Sequence, residues 1–216
     1  QAEPLRDDAL RTSPERFEAL AGYDFAPHYV QDLPSLQGWR MHYVDEGAED
    51  AACCLCLHGP GEWGYFFRHL VGLPGLRTLV PDLIGFGKSD KPKREAAHRI
   101  EWHCQVLDEW LDRLQPPPMV LVHSAAATGL ATRLHAEKGG LFAAVLLAPE
   151  DRLAAHLRTW LGVWPPERPL EVTTATGRTD PGWDGRVHGV VGVASPQGVV
   201  LSVPPDRIEA VASLSK

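Results

Sequence analysis

No apolar stretch in this chain approaches the ~20 residues a membrane-crossing helix needs; the longest, Leu141 to Ala148, falls far short. Basic residues are in deficit, with 21 Lys and Arg against 28 Asp and Glu, a net charge of −7. Lacking a basic stripe, such a chain repels nucleic acid and anionic membrane, so neither is expected as a partner. Cysteine is scarce, and three of the four (Cys53, Cys54 and Cys56) share one apolar run where strand neighbours do not easily bridge. No zinc spacing is present, and His58, His69, His98, His103, His135 and His156 are scattered, so no metal is expected. The thiols are read as buried and reduced and the setting as cytoplasmic. No repeat, low-complexity tract or ordinary signal peptide is found, and the start at Gln1 is read as that of a trimmed or truncated product. Hydrophobic residues at 44% and charged residues at 23% exclude a wholly disordered chain, a coiled coil and a collagen-like repeat. Glycine (20) and proline (19) are plentiful and predict a compact chain rich in turns.

Hydrophobic patterning predicts alternating strands and helices. Trp39 to Val44 alternates like a half-buried strand, whereas Ala51 to Leu57 is continuously apolar, as in a strand covered on both faces. Leu76 to Val80, Met119 to Val122 and Leu141 to Ala148 are further strands. Trp102 to Leu114 has apolar residues at helical spacing, Ala125 to Lys138 is a second helix, and Pro14 opens a short helix reaching Leu20. Later, Leu153 to Leu161 and Pro205 to Leu214 read as helices, and Glu171 to Ala175, Val187 to Val193 and Val199 to Val203 as β segments. Strands alternating with helices imply βαβ units and a mostly parallel, doubly wound sheet.

Three places could carry chemistry. His123-Ser124 lies where a buried strand meets a helix, the geometry of a nucleophile elbow. Val122 and Ala126 stand where that turn usually has glycine, and Ser124 could equally serve as a helix N-cap. His58-Gly59-Pro60-Gly61 follows another buried strand; Gly61 and Ala125 are the candidate oxyanion N–H donors, because proline has none. Asp180 ends a late strand as candidate orienting acid, with His188 the one histidine beyond it and hence the candidate base. Glu150 and Asp151 are alternative acids, or simply a helix start. The glycines of "GFGKSD" match no phosphate-binding pattern, so no nucleotide or other cofactor is expected.

Together with these residues, "RFEALAGYDFAPHYV", "MHYVDEG", "CLCLHGPGEWGYFFRHL", "VPDLIGFGKSDKP" and "IEWHCQVLDEWLDRL" resemble the N-terminal half of haloalkane dehalogenases in the α/β-hydrolase superfamily. The resemblance runs from Leu5 to Pro149 and implies an α/β-hydrolase fold with its cap absent or vestigial. Residues 1–216 then form one domain: an N-terminal extension (1–35), a matched core (36–150) and a shortened C-terminal part (151–216). That family employs an aspartate nucleophile followed by a halide-binding tryptophan. Ser124-Ala125 stand there, or Ala125-Ala126 without a gap; Ser124 is preferred because the stretch from it to "LLAP" has the length of serine-type relatives. Pro60 occupies the place of the second halide-binding residue, and the terminal "GxGH" that would present the base is missing.

Displacement of halide needs a carboxylate nucleophile and halide donors, so dehalogenation is not expected. The expected activity is serine-type hydrolysis of a small ester-like substrate at Ser124, with His188 as base and Asp180 orienting it. The competing expectation is a non-catalytic binding or interaction module, in which the apolar surface left by an absent cap favours self-association or a partner.

Overall fold

The computed structural model describes residues 5–68, 70–93, 99–138 and 141–147, together with strands at 171–173, 189–193 and 199–202. Two strands, β1 (Ala9–Leu10) and β2 (His28–Val30), precede the long core strands β3 (Met41–Glu46), β4 (Ala52–Leu57) and β5 (Leu76–Pro81). Then come β6 (Lys91–Pro92), helix α1 (Ile100–Leu114), β7 (Met119–His123), helix α2 (Thr128–Lys138) and β8 (Phe142–Leu147). Six strands form one sheet in the order β2-β3-β5-β4-β7-β8. β4 pairs in parallel with β5 and β7, and β7 with β8, while β2 and β3 run antiparallel. This is the mixed, mostly parallel sheet of an α/β protein.

The continuous apolar run of β4 is explained by two cores, one on each face. Cys53, Leu55 and Leu57 pack with Met119 and Leu121 of β7 and with the buried stripe of α1, Val106, Leu107, Trp110 and Leu111. Cys54 and Cys56 belong to the opposite cluster, with Val120, Val122, Tyr23, Phe67, Leu70 and Val71. Alternate residues of a strand face opposite sides, so a strand buried on both must be apolar throughout. The α1 stripe matches its predicted amphipathic pattern. The helix stops at Gln115, left-handed at φ 47 with its N–H on the Leu111 carbonyl, and three prolines then exclude continuation.

Several boundaries differ from the sequence expectation. The strand predicted from Trp39 begins at Met41, because Trp39 turns edge-on to Trp102 at 5.4 Å. The helix expected from Pro14 is one 3-10 turn, Pro14–Phe17, after which Phe17 packs on Trp63 at 5.4 Å. The polar opening segment supplies β2, the sheet edge, whose His28 stacks on Tyr43 at 5.3 Å. A second sheet contains β9 (Glu171–Thr173), β10 (Gly189–Val193) and β11 (Val199–Ser202), with β10 and β11 antiparallel and β9 parallel to β10. The helices expected at Leu153 to Leu161 and Pro205 to Leu214 lie outside the described residues. No helix among the described residues is long and apolar enough to cross a membrane.

Candidate active site

β4 and β7 are adjacent and parallel, with Leu57 opposite His123, so the loops that follow them leave the same sheet edge side by side. The Ser124 N–H donates to the Leu57 carbonyl at 3.1 Å, extending the ladder one residue past β7. The chain then enters a 3-10 turn, Ala125–Ala127, rather than the α-helix expected there, and the Ala127 N–H returns to the Ser124 carbonyl at 3.1 Å. Close approach between the loops requires a glycine: a Cβ at Gly59 would lie 2.5 Å from the Ala126 carbonyl oxygen and Cβ.

Gly59-Pro60-Gly61-Glu62 is a tight turn, closed by the Glu62 N–H on the Gly59 carbonyl at 3.1 Å. Proline in second place and Gly61 at φ 82 in third give the type II pattern, in which the third residue must be left-handed. The turn swings Glu62 back over the β7 junction. Ser124 Oγ donates to Glu62 Oε1 at 2.8 Å, and the Gly59 N–H reaches the same oxygen at 3.3 Å. Ser124 is 2% exposed, while Gly61 stands exposed on the turn. The hydroxyl proton is thus directed to a carboxylate that no sequence motif had identified. What the sequence did show was the Gly-Pro-Gly turn that delivers it.

The two imidazoles flanking this junction are otherwise engaged. His58 accepts the Leu83 N–H at Nε2 and donates from Nδ1 to the Gly59 carbonyl, both at 2.9 Å. That fixes a neutral tautomer and ties the β4 loop to the β5 loop. His123 Nδ1 donates to the Ser124 carbonyl at 2.7 Å. Burial lowers the pKa of both, opposed by the hydrogen bonds to those carbonyls and, at His58, by the charges of Asp82 and Glu62. Neither ring has its base nitrogen on the Ser124 hydroxyl, whose proton goes to Glu62.

A second buried polar centre, also unforeseen from sequence, lies behind this loop. Asp82 takes the Gly64 N–H at 2.7 Å, and the Lys88 N–H and His42 Nδ1 at 2.9 Å each. His42 and Asp82 are both fully buried. This carboxylate binds the β4 loop, β3 and the loop after β5 into one unit. The four cysteines are free and buried, with burial pushing the thiols of Cys53 and Cys104 up to about 12. Cys53 and Cys104 are therefore protonated at neutral pH and unsuited to nucleophilic work. No group of three His, Cys, Asp or Glu among the described residues is placed to hold a metal ion. Asp180, His188, Glu150 and Asp151 lie outside the described residues.

These shifts set a pH window for stability. His58 and His123 bind protons less readily folded than unfolded, so stability is full above the ordinary histidine value of 6.5 and is lost as pH falls below it. Cys53 and Cys104 stay protonated folded but ionise unfolded, so stability also declines as pH rises above 9.0. Melting temperatures recorded across the pH range are expected to plateau between these limits and to fall on both sides. A melting temperature still climbing below pH ~6 would contradict the buried neutral state of His58 and His123.

Comparison with known proteins adds an independent line. The model of a family described as the alpha/beta hydrolase family matches residues 54–213. A haloalkane dehalogenase from Mycobacterium marinum is 38% identical over 148 residues, covering 65% of this chain and 49% of that protein. The tetrameric haloalkane dehalogenase of Paraglaciecola agarilytica superposes with a TM-score of 0.60 and 35% identity, over 63% of this chain and 47% of that one. A structure from work on epoxide hydrolases of hot-environment metagenomes gives a TM-score of 0.50 and 25% identity, over 63% and 46%. The chain spans about half the length of the curated relatives it matches.

Proposed function

Since this chain belongs to the α/β-hydrolase family and is related to haloalkane dehalogenases and epoxide hydrolases, we propose that it is a serine-type hydrolase of small ester-like substrates with Ser124 as nucleophile. The observation that carries this reading is the 2.8 Å hydrogen bond from Ser124 Oγ to Glu62 at the strand-to-turn junction. A weak nucleophile needs an adjacent group to take its proton, and the Glu62 carboxylate is already in position. Ser124 Oγ attacks the ester carbonyl as its proton passes to Glu62, and the Gly61 and Ala125 N–H groups receive the developing oxyanion. The alcohol departs with a proton, and water then cleaves the acyl-enzyme to release the acid. No cofactor is needed for these steps. The other candidate for the base is His188, oriented by Asp180.

Relatives named as haloalkane dehalogenases make halide displacement the obvious alternative, but the chemistry argues against it. A hydroxyl stands where that family places its carboxylate nucleophile, and Pro60 brings no N–H to the place of a halide donor. Incubation with short haloalkanes is expected to release no halide above a protein-free blank; measurable release would reverse this reading. A non-catalytic binding role, with self-association, is favoured by one feature: the Ser124 hydroxyl is nearly inaccessible and already bonded.

The experiment is the pH profile of kcat/KM for p-nitrophenyl acetate in the wild type, Glu62→Gln and His188→Gln. Loss of the base is worth about 100- to 10,000-fold. We expect Glu62→Gln to lose activity on that scale and His188→Gln to lose less than tenfold. The reverse order, with a wild-type inflection near the ordinary imidazole value of ~6.5, would hand the base role to His188. No turnover by the wild type leaves the binding role.

A further inference from the structure

Near the antiparallel end of the sheet, a cavity of about 330 Å³ that Ser124 does not line is bounded by Arg11, Ser13, Phe17, Tyr29, Arg40 and Lys88 among others. Because β3 runs antiparallel to β5, Arg40 just before β3 and Lys88 just beyond β5 come to the same edge. Three cations in one hollow is unexpected in a chain whose net charge is −7.

Their partners divide unevenly. Arg11 grips the fully buried Asp90 carboxylate through Nε at 2.7 Å and Nη2 at 2.9 Å, and Asp90 also takes the Arg40 backbone N–H at 2.9 Å. Asp82, the other nearby carboxylate, is committed to His42 and two backbone N–H groups. Neither Arg40 nor Lys88 forms an ion pair among the described residues, and Asp90 acts on the Arg40 guanidinium only through space. The Arg40 guanidinium lies over the Tyr29 ring, 3.9 Å from its centre, and its buried Nε has no hydrogen-bond acceptor. The Lys88 ammonium faces the rings of Phe17 and Tyr23 at 5.5 and 5.4 Å. Burial first and then the charge of Arg11 lower the Arg40 pKa, and Tyr29 and Asp90 offset this only in part, so the site holds this cation against a net penalty.

An oxyanion placed between Arg40 and Lys88 would remove that penalty. A guanidinium fork matches carboxylate or phosphate, and an ammonium adds a point charge. The volume lies at the lower end of organic-ligand pockets, and Phe17 and Tyr29 offer flat apolar walls. We propose that this cavity is a second ligand site, separate from Ser124, that takes a small aromatic oxyanion held by Arg40 and Lys88 against Phe17 and Tyr29.

The test is calorimetric titration of the full chain with phenyl phosphate and with benzoate at low ionic strength, using benzyl alcohol as the uncharged control. Saturable binding of at least one oxyanion is expected, weakening as salt is raised, with none for benzyl alcohol. Loss of a charge-assisted pair weakens binding by about tenfold or more, which is the effect expected of Arg40→Gln. Lys88→Gln should weaken binding by a smaller factor, and Ser124→Ala should leave it unchanged. Neither substituted side chain forms an ion pair among the described residues, so both variants should fold, as circular dichroism would verify. The site is overturned if neither oxyanion binds, if both charge variants bind like the wild type, or if Ser124→Ala abolishes binding.

Discussion

Asp82→Ala is expected to lower the folding free energy by about 4 kcal/mol, a large part of the stability of an ordinary domain. The carboxylate is fully buried and satisfies three donors, Gly64 N–H, Lys88 N–H and His42 Nδ1. Alanine strands all three. A buried donor left unsatisfied costs about 1–3 kcal/mol, and deleting one member of a buried pair costs about 3–5 kcal/mol. Urea titration followed by circular dichroism should show a lower midpoint at unchanged slope. Asp82→Asn, which keeps one acceptor oxygen, should fall between. A loss in Asp82→Ala below ~1 kcal/mol, the range of an exposed ion pair, would mean that the three loops are held together by something else.

The second large effect concerns catalysis. Ser124→Ala should reduce hydrolysis of p-nitrophenyl esters at least about a thousand-fold, because removal of a nucleophile leaves only binding and oxyanion stabilisation. Stability should change little, since the mutation removes one hydrogen bond, to the partly exposed Glu62, worth about 1 kcal/mol. Equal turnover by mutant and wild type would place any hydrolysis elsewhere on the surface.

Much of this architecture was readable from local patterning. β4 announces itself because burial on both faces demands an unbroken apolar run, and α1 because one buried face demands helical spacing. The β7 junction at Ser124 follows from the same logic, as a buried strand that ends abruptly in a small polar residue. Contacts between residues far apart in sequence were not readable. Ser124 and Glu62 are 62 positions apart, and only the parallel pairing of β4 with β7 brings their loops together. The His42–Asp82 pair spans 40 positions and depends on the antiparallel register of β3 on β5. Local rules also missed β2: His28-Tyr29-Val30 is too short to announce itself and forms a strand because the edge of β3 offers it partners. The 3-10 turn at Ala125–Ala127, with Gly59 of the neighbouring loop close against Ala126, was likewise not readable from local preference.

A fluorophosphonate probe tests the nucleophile most directly, because it bonds covalently to an activated serine and the modified peptide can be read by mass spectrometry. Wild-type protein should carry the adduct on Ser124, and Ser124→Ala should carry none. An unlabelled wild type, or an adduct that survives in Ser124→Ala, would contradict the assignment of this hydroxyl as the reactive group.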